Sequence, residues 1–168
     1  MREYGPGETC CFTGHRANKL PWGYDENDGR CIALKRRLYD VLDGLYETGI
    51  RRFICGMALG SDMYFAEAVI ALSRKHGDVL LEAAIPCLGQ DEHWGEAQRA
   101  RYNRILSQCG KRTVLSHCYT PHCMDDRNRY MVEHSHVLVA VFGGGTGGTF
   151  NTIRMAVRLG LEIIELSV

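Results

Sequence analysis

The sequence has no excess of either charge, because 20 lysine and arginine residues balance 20 aspartate and glutamate residues in 168 positions. A uniform field of the kind that holds a polyanion without sequence preference is therefore not expected, and we expect no long nucleic acid as the main partner. No apolar run approaches the roughly 20 residues of a membrane span, and the polar start of the chain lacks the apolar segment of a signal peptide. We expect a cytoplasmic protein without a membrane partner.

Paired cysteines and linkers are missing as well. None of the eight cysteines forms a CxxC pair, so reduced thiols packed as small apolar side chains are favoured over a disulfide framework. The segment 117–123 holds two His-Cys pairs, but their spacing does not match the common zinc fingers and no second cluster accompanies them. We expect no metal ion and no cofactor. Because there is no low-complexity tract or proline-rich linker, we also expect one domain over residues 1–168.

Apolar runs and helical periodicities alternate along the chain. Strands are predicted at residues 9–13, 52–55, 79–85, 112–115, 137–142 and 161–166. Apolar residues at helical spacing place helices at 34–45, 65–72, 96–109, 124–134 and 149–159. Such alternation predicts an α/β protein with a single Rossmann-like domain, a mostly parallel sheet and helices on both faces. Right-handed crossovers then bring every strand-to-helix loop to one edge of the sheet, where ligands bind.

The loop after the strand at 137–142 is the richest in glycine. Its sequence is Gly143-Gly144-Gly145-Thr146-Gly147-Gly148-Thr149, and it leads into a predicted helix. Glycines after a buried strand let backbone N–H groups approach an anion, and the positive end of the following helix points at the same place. A glycine run can also be a flexible turn, but the order of strand, glycines and helix favours a phosphate-binding loop.

Two further loops contain residues suited to an anionic ligand. These residues are Gly14, His15 and Arg16 after the first strand, and Gly56, Gly60, Ser61 and Asp62 after the second. Neither loop has the GxGxxG fingerprint of a dinucleotide-binding dehydrogenase. Ser61 and Asp62 could instead cap the next helix, and Gly60 could serve a turn.

One long irregular segment, residues 15–30, carries Trp22 and Tyr24. A loop of this length inside a compact domain is commonly a functional lid or a disordered segment. In a lid, such an aromatic pair could stack on a base.

Arg127 interrupts an apolar helical face, since Met124, Arg127 and Met131 stand at positions i, i+3 and i+7. A buried guanidinium needs an anion. A bound phosphate would serve, and so would an internal carboxylate such as Asp62 or Glu67. We favour the phosphate because the glycine loop follows the next strand, and we include the neighbouring Asn128 among the ligand-binding residues.

These residues resemble a known family. The run Met124-x-x-Arg127-x-x-x-Met131, then Ser135, an apolar strand and a Gly-Gly-x-Gly-Gly-Thr loop, is similar to the signature of the SLOG superfamily, which includes the Smf/DprA proteins and the LOG-type phosphoribohydrolases. The resemblance is strongest to its YpsA-like branch of small bacterial proteins. Further matching elements are Thr13-Gly14-His15-Arg16, Gly56-x-x-x-Gly60-x-Asp62, Pro86-x-x-x-Gln90-x-x-x-Trp94, Tyr119-x-Pro121 and Arg127-Asn128.

The resemblance implies a Rossmann-like fold that binds a small nucleotide or nucleotide-derived phosphate ligand at the carboxyl edge of the sheet. We therefore expect a sensor or regulatory protein. The alternative is an N-glycoside hydrolase acting on a nucleoside monophosphate or an ADP-ribose-type compound, with Arg127 and Asp62 as its catalytic pair. In the LOG enzymes an arginine works with a glutamate just after the Gly-Thr loop, but Phe150, Asn151 and Thr152 stand there in this chain. Whether there is catalysis stays open at this point, as does a homodimer.

Overall fold

A computed structural model describes residues 2–168 and contains six strands and five longer helices. In chain order they are β1 (Thr9–Gly14), α1 (Gly29–Glu47), β2 (Arg52–Cys55), α2 (Ser61–Lys75), β3 (Leu80–Ile85), α3 (Glu96–Leu106), β4 (Lys111–Val114), α4 (Cys123–Glu133), β5 (Val137–Phe142), α5 (Gly148–Arg158) and β6 (Glu162–Ser167). All neighbouring strands are parallel, and their order in the sheet is β4-β3-β2-β1-β5-β6. The predicted α/β class with a Rossmann-like parallel sheet is confirmed.

The central strands are buried on both faces, which explains why they are continuous apolar runs rather than alternating ones. Within β1, Cys10 and Phe12 face the layer that contains α1, α2 and α3, whereas Cys11 faces α4 and α5. The first layer holds most of the core, including the stacked rings of Phe12 and Phe65, whose centroids lie 4.6 Å apart. Among residues 2–168, no helix is both long and apolar enough to cross a bilayer.

The direction of winding reverses next to β1. From β1 the chain adds β2, β3 and β4 on one side of the sheet, and β5 and β6 lie on the other side. The loops that follow β1 and β5 therefore diverge, one towards each face, and leave a crevice between the two strand ends. The hydrogen bonding between β1 and β5 continues one residue beyond β1, because the N–H of His15 donates to the carbonyl of Val141 at 3.1 Å.

The loops after β1 and β2 are packed directly against each other. Ser61 Oγ donates to the carbonyl oxygen of His15 at 2.7 Å. Gly60 has φ of +90°, and a Cβ at this position would lie 2.6 Å from the backbone nitrogen of Ala17. Only glycine fits both the conformation and the space, so Gly60 holds the two loops at close approach.

The two aromatic residues of the segment between β1 and α1 lie in different environments. Trp22 is buried, and its Nε1 donates to the hydroxyl of Tyr64 at 3.2 Å. Tyr24 remains 66% exposed. Stacking on a base, which the sequence left open for this pair, is therefore ruled out for Trp22, which packs in the core because α2 supplies a partner for its N–H.

Replacing Gly60 with alanine tests the contact between these loops. We expect Gly60→Ala to lower the free energy of unfolding by at least about 2 kcal/mol, because a Cβ strains the backbone and collides with Ala17. The control is Gly44→Ala in α1, where a Cβ meets nothing within 4 Å; it should raise the free energy of unfolding by about 0.5–1 kcal/mol. Urea unfolding measures both, and wild-type stability of Gly60→Ala would contradict the packing described here.

Candidate functional site

A cavity of about 240 Å³ occupies the crevice between the ends of β1 and β5. Its wall includes eight of the residues predicted from sequence: Gly14, His15, Arg16, Asp62, Arg127, Asn128, Gly148 and Thr149. They come from β1 and its loop and from the beginnings of α2 and α5, together with the buried face of α4. The topology thus brings together residues that are far apart in the chain.

Arg127 is the most constrained residue in this wall. Helix α4 turns its Cys123, Arg127 and Met131 face towards the sheet, and the arginine is only 5% exposed. Its Nε donates to Asn128 Oδ1 at 2.8 Å, and its Nη1 donates to the carbonyl oxygen of Gly56. The only partner recorded for Nη2 within residues 2–168 is the thioether sulfur of Met124 at 3.8 Å, and a thioether is a weak acceptor.

A second buried arginine shows how this chain neutralises a structural guanidinium. Arg52 is 6% exposed, and its Nε donates to Glu82 Oε2 at 2.6 Å. By contrast, none of the ion pairs found within residues 2–168 includes Arg127. Burial lowers the pKa of Arg127 because it disfavours the charged form. The nearby charge of Asp62 opposes that effect only in part.

The amino end of α5 contributes backbone donors without a capping side chain. Its N-cap is Gly147, which has no side chain to accept from the first turn, and Gly148 and Thr149 line the cavity. The N–H groups of a first helical turn have no intrahelical partner, and the helix dipole adds partial positive charge there. An anion in the cavity would satisfy these donors.

Most of the glycine loop lies outside the cavity wall. Gly143, Gly144, Gly145 and Thr146 are exposed, and only the last two residues of the loop, Gly148 and Thr149, line the cavity. The loop is tied back at two points: Gly143 N–H donates to His15 Nε2 at 2.9 Å, and Lys19 Nζ donates to the carbonyl oxygen of Thr146 at 3.2 Å. The glycines allow the turn, while the helix start faces the cavity.

His15 joins the loops after β1 and β5 as a neutral imidazole. Since its Nε2 accepts from Gly143, its proton resides on Nδ1. Burial lowers the pKa of His15, and the charge of Lys19 lowers it further. Protonation would replace this acceptor with a donor, so the contact belongs to the neutral form.

Asp62 is buried at the start of α2. Its Oδ2 accepts from the backbone N–H of Ala58 at 3.0 Å, and burial raises its pKa from 3.8 to about 6 despite the opposing charge of Arg127. Glu67, the other carboxylate considered for Arg127, is bound instead to Arg101, with Nε and Oε1 at 2.6 Å. Glu67 is therefore not the counter-ion of Arg127, and that alternative is wrong.

Three predicted residues of the β2–α2 loop lie behind the wall rather than in it. A Cβ at Gly56 would lie within 2.8 Å of Arg127 Cζ, so this glycine makes room for the guanidinium. Gly60 and Ser61 hold the adjacent loop, as described above. Between them, Met57 has φ of +59° although it is not glycine, and backbone strain of this kind is concentrated at functional sites.

The structure adds wall residues that no sequence pattern had indicated. Asn18 and Lys19 come from the segment before α1, and Asp125 comes from α4. With Arg16 and Arg127, Lys19 makes the wall locally basic although the whole chain is neutral. Within the described residues, no group of three His, Cys, Asp or Glu side chains could hold a metal ion.

Comparison of the sequence with known proteins finds relatives that are similar over most of this chain. The SPbeta prophage-derived protein YoqJ of Bacillus subtilis is 30% identical in an alignment of 138 residues that covers 74% of this chain and 81% of that protein. A UPF0398 protein of Halalkalibacterium halodurans is 29% identical in an alignment of 134 residues that covers 78% of this chain and 70% of that protein.

Comparison of structures finds the same fold in DNA processing protein A. The Helicobacter pylori protein, which binds single-stranded DNA, superposes with a TM-score of 0.64 at 17% identity over 98% of this chain. The Streptococcus pneumoniae protein gives a TM-score of 0.52 at 15% identity over 94% of this chain. The chain spans 66% and 58% of these two proteins, respectively.

The neighbour from Helicobacter pylori corrects one expectation. We expected no long nucleic acid as a partner because the charges of the chain balance, yet a protein of this fold binds single-stranded DNA, so the exclusion is wrong. Net charge does not determine local potential, and a basic cavity wall is compatible with a neutral chain.

The family assignment follows from the sequence match. A model of the YspA SLOG family matches residues 10–158, which run from the second residue of β1 to the end of α5 and include the whole wall of the cavity. The resemblance noted on Arg127, Gly56, Gly60 and the glycine loop is thereby confirmed, and this chain belongs to the YspA SLOG family.

Proposed function

We propose that this chain binds the phosphate group of a nucleotide in the cavity between β1 and β5, and that it acts by binding rather than by chemical turnover. The observation that carries the proposal is the Arg127 guanidinium, which is 5% exposed, lines the cavity and has no carboxylate partner within residues 2–168. A buried charge that no ion pair neutralises is costly, and a bound phosphate would supply a direct counter-ion.

Other donors around the same cavity support a phosphate in particular. Gly148 and Thr149 begin α5 without a side-chain cap, and Arg16 and Lys19 add two exposed cations to the wall. A phosphate has several acceptor oxygens, so it can bind a guanidinium and backbone N–H groups together. The two carboxylates in the wall, Asp62 and Asp125, leave it with an excess of positive charge.

The phosphate could belong to a free nucleotide or to a nucleic acid strand. Both carry the chemistry that Arg127 and the start of α5 would recognise, and the Helicobacter pylori relative in fold binds single-stranded DNA. The experiment therefore includes both ligands.

Hydrolysis of an N-glycosidic bond has less support in this site. Such a reaction needs a carboxylate that can reach the attacking water or the developing positive charge. Asp62 lines the cavity, but its Oδ2 already accepts from the N–H of Ala58, and Phe150, Asn151 and Thr152 provide no carboxylate at the start of α5. No contact in the site favours turnover over binding.

The variant Arg127→Met tests the phosphate site. Wild-type protein should gain about 2.7 kcal/mol of unfolding free energy at a concentration of adenosine 5′-monophosphate about 100 times the dissociation constant. Arg127→Met should lose this gain, because the positive charge that would pair with the phosphate is removed. Without ligand it should be at least as stable as wild type, because a buried unpaired charge is removed and Gln90 still donates to the carbonyl of Gly56. Thermal denaturation with and without ligand measures both effects.

The matched control is Arg158→Met, which removes the same charge from an exposed position in the last turn of α5. It should keep the ligand-dependent gain. Nucleotide stabilisation that survives in Arg127→Met would overturn the proposed site. If a short single-stranded oligodeoxynucleotide stabilises wild type and the free nucleotide does not, the phosphate belongs to a nucleic acid strand.

Asp62→Asn separates the structural role of this residue from a catalytic one. Because the folded-state pKa of Asp62 is raised from 3.8 to about 6, its contribution to stability is complete below pH 3.8 and is lost as the pH rises through about 6. Asparagine keeps an acceptor for Ala58 and carries no charge. We expect Asp62→Asn to be more stable than wild type by on the order of 2 kcal/mol at pH 8, with no such gain near pH 4.

Denaturation of both proteins at the two pH values checks this dependence. In parallel, incubation of wild type with nucleoside monophosphates should release no free base. Release by wild type that disappears in Asp62→Asn would establish the hydrolase instead.

A further inference from the structure

A second groove adjoins the phosphate cavity and has a different character. It has a volume of about 270 Å³ and shares Arg16, Asn18, Ala58 and Met124 with the first cavity. Its remaining wall contains two aromatic rings, Tyr24 and Trp94, and the amide of Gln90. A basic cavity and an aromatic groove therefore lie side by side.

The two aromatic rings are held differently. Tyr24 is 66% exposed, so its ring is available to a ligand. Within residues 2–168 its hydroxyl has no hydrogen-bond partner. Trp94 is half-buried and is supported by Tyr102, with ring centroids 5.3 Å apart and planes at 84°. Exposed faces of this kind bind bases by stacking, which tolerates any base because every base has a π-face.

The Gln90 amide is oriented by two hydrogen bonds, one of which shares its acceptor with Arg127. Its Nε2 donates to the carbonyl of Gly56 at 3.3 Å, and its Oε1 accepts from the Tyr102 hydroxyl at 3.4 Å. The carbonyl of Gly56 is also the acceptor of Arg127 Nη1. One N–H and one lone pair of the amide remain for the edge of a base, since an amide has two donors and two acceptor sites.

We propose that the groove binds the base of the same nucleotide whose phosphate occupies the cavity, and that the ligand is of the nucleoside monophosphate class. This inference rests on the proposed function of the cavity. The base stacks on the Tyr24 and Trp94 rings with its edge at Gln90, the ribose passes Arg16 and Asn18, and the phosphate reaches Arg127. Trp22 takes no part, because it is buried against Tyr64.

Ligands with and without a base test the groove. Titration calorimetry should show that wild type binds adenosine 5′-monophosphate more tightly than ribose 5-phosphate, since only the former fills the groove. Tyr24→Ala should weaken the monophosphate about tenfold, equivalent to about 1.4 kcal/mol, and leave ribose 5-phosphate unchanged. Tyr24→Phe keeps the ring and should bind both ligands as wild type does. Tyr24 is exposed, so none of these changes threatens the fold.

Tryptophan fluorescence gives an independent measurement, because the chain has two tryptophans and only Trp94 lines the groove. Adenosine 5′-monophosphate should quench emission in wild type and not in Trp94→Phe, which retains the buried Trp22. Ribose 5-phosphate should quench neither.

The outcomes distinguish this inference from the proposed function. Equal binding of the two ligands, or wild-type affinity of Tyr24→Ala for the monophosphate, overturns the base groove while the phosphate site stands. Absence of binding by either ligand to wild type overturns the base groove, and it overturns the phosphate site as well if a short single-stranded oligodeoxynucleotide also fails to stabilise the protein.

Discussion

A guanidinium that is withdrawn from water has to find its hydrogen-bond acceptors and its counter-charge nearby, and Arg127 finds the acceptors but no direct ion pair, since the charge of Asp62 compensates its burial only in part. Asn128 and the carbonyl of Gly56 occupy Nε and Nη1, while Nη2 faces a thioether. Arg52 shows that the same chain can neutralise a buried arginine with a carboxylate. Around Arg127 no carboxylate forms an ion pair within residues 2–168, and a conflict of this kind between burial and charge is expected at functional or strained sites.

The topology explains why this charge lies where a ligand can reach it. The reversal of strand order beside β1 opens a crevice, and helices α4 and α5 present their residues to it from one face of the sheet while the loops after β1 and β2 close it from the other. Close packing sets the shape of the crevice. Gly60 lets one loop rest on the backbone of the other, and Gly56 leaves the space that the guanidinium fills. Larger residues at either position would move the wall itself.

Much of the fold could be predicted because its central strands are short, mainly apolar runs with glycine or proline at their carboxyl ends, and β2 and β5 begin and end where the pattern placed them. Helix limits were less accurate. Helix α1 starts at Gly29, capped by Asp28, whereas its apolar periodicity begins only at Leu34. In the site, Arg127 stood out because it breaks an apolar stripe. Lys19 did not, because its contact with Thr146 spans 127 residues and leaves no local pattern. The inward position of Trp22 likewise depends on Tyr64, which periodicity cannot identify as its partner.

The carbonyl of Gly56 receives hydrogen bonds from both Arg127 and Gln90, and a carbonyl oxygen has only two lone pairs. Both donors are accommodated at once, but each withdraws electron density from the shared oxygen and so weakens the other hydrogen bond. If an anion draws the guanidinium away, the amide gains a stronger hold on that oxygen and becomes more rigid. Energetic contributions from the two side chains would then be non-additive, and the two halves of one ligand would bind cooperatively through an atom that neither half touches.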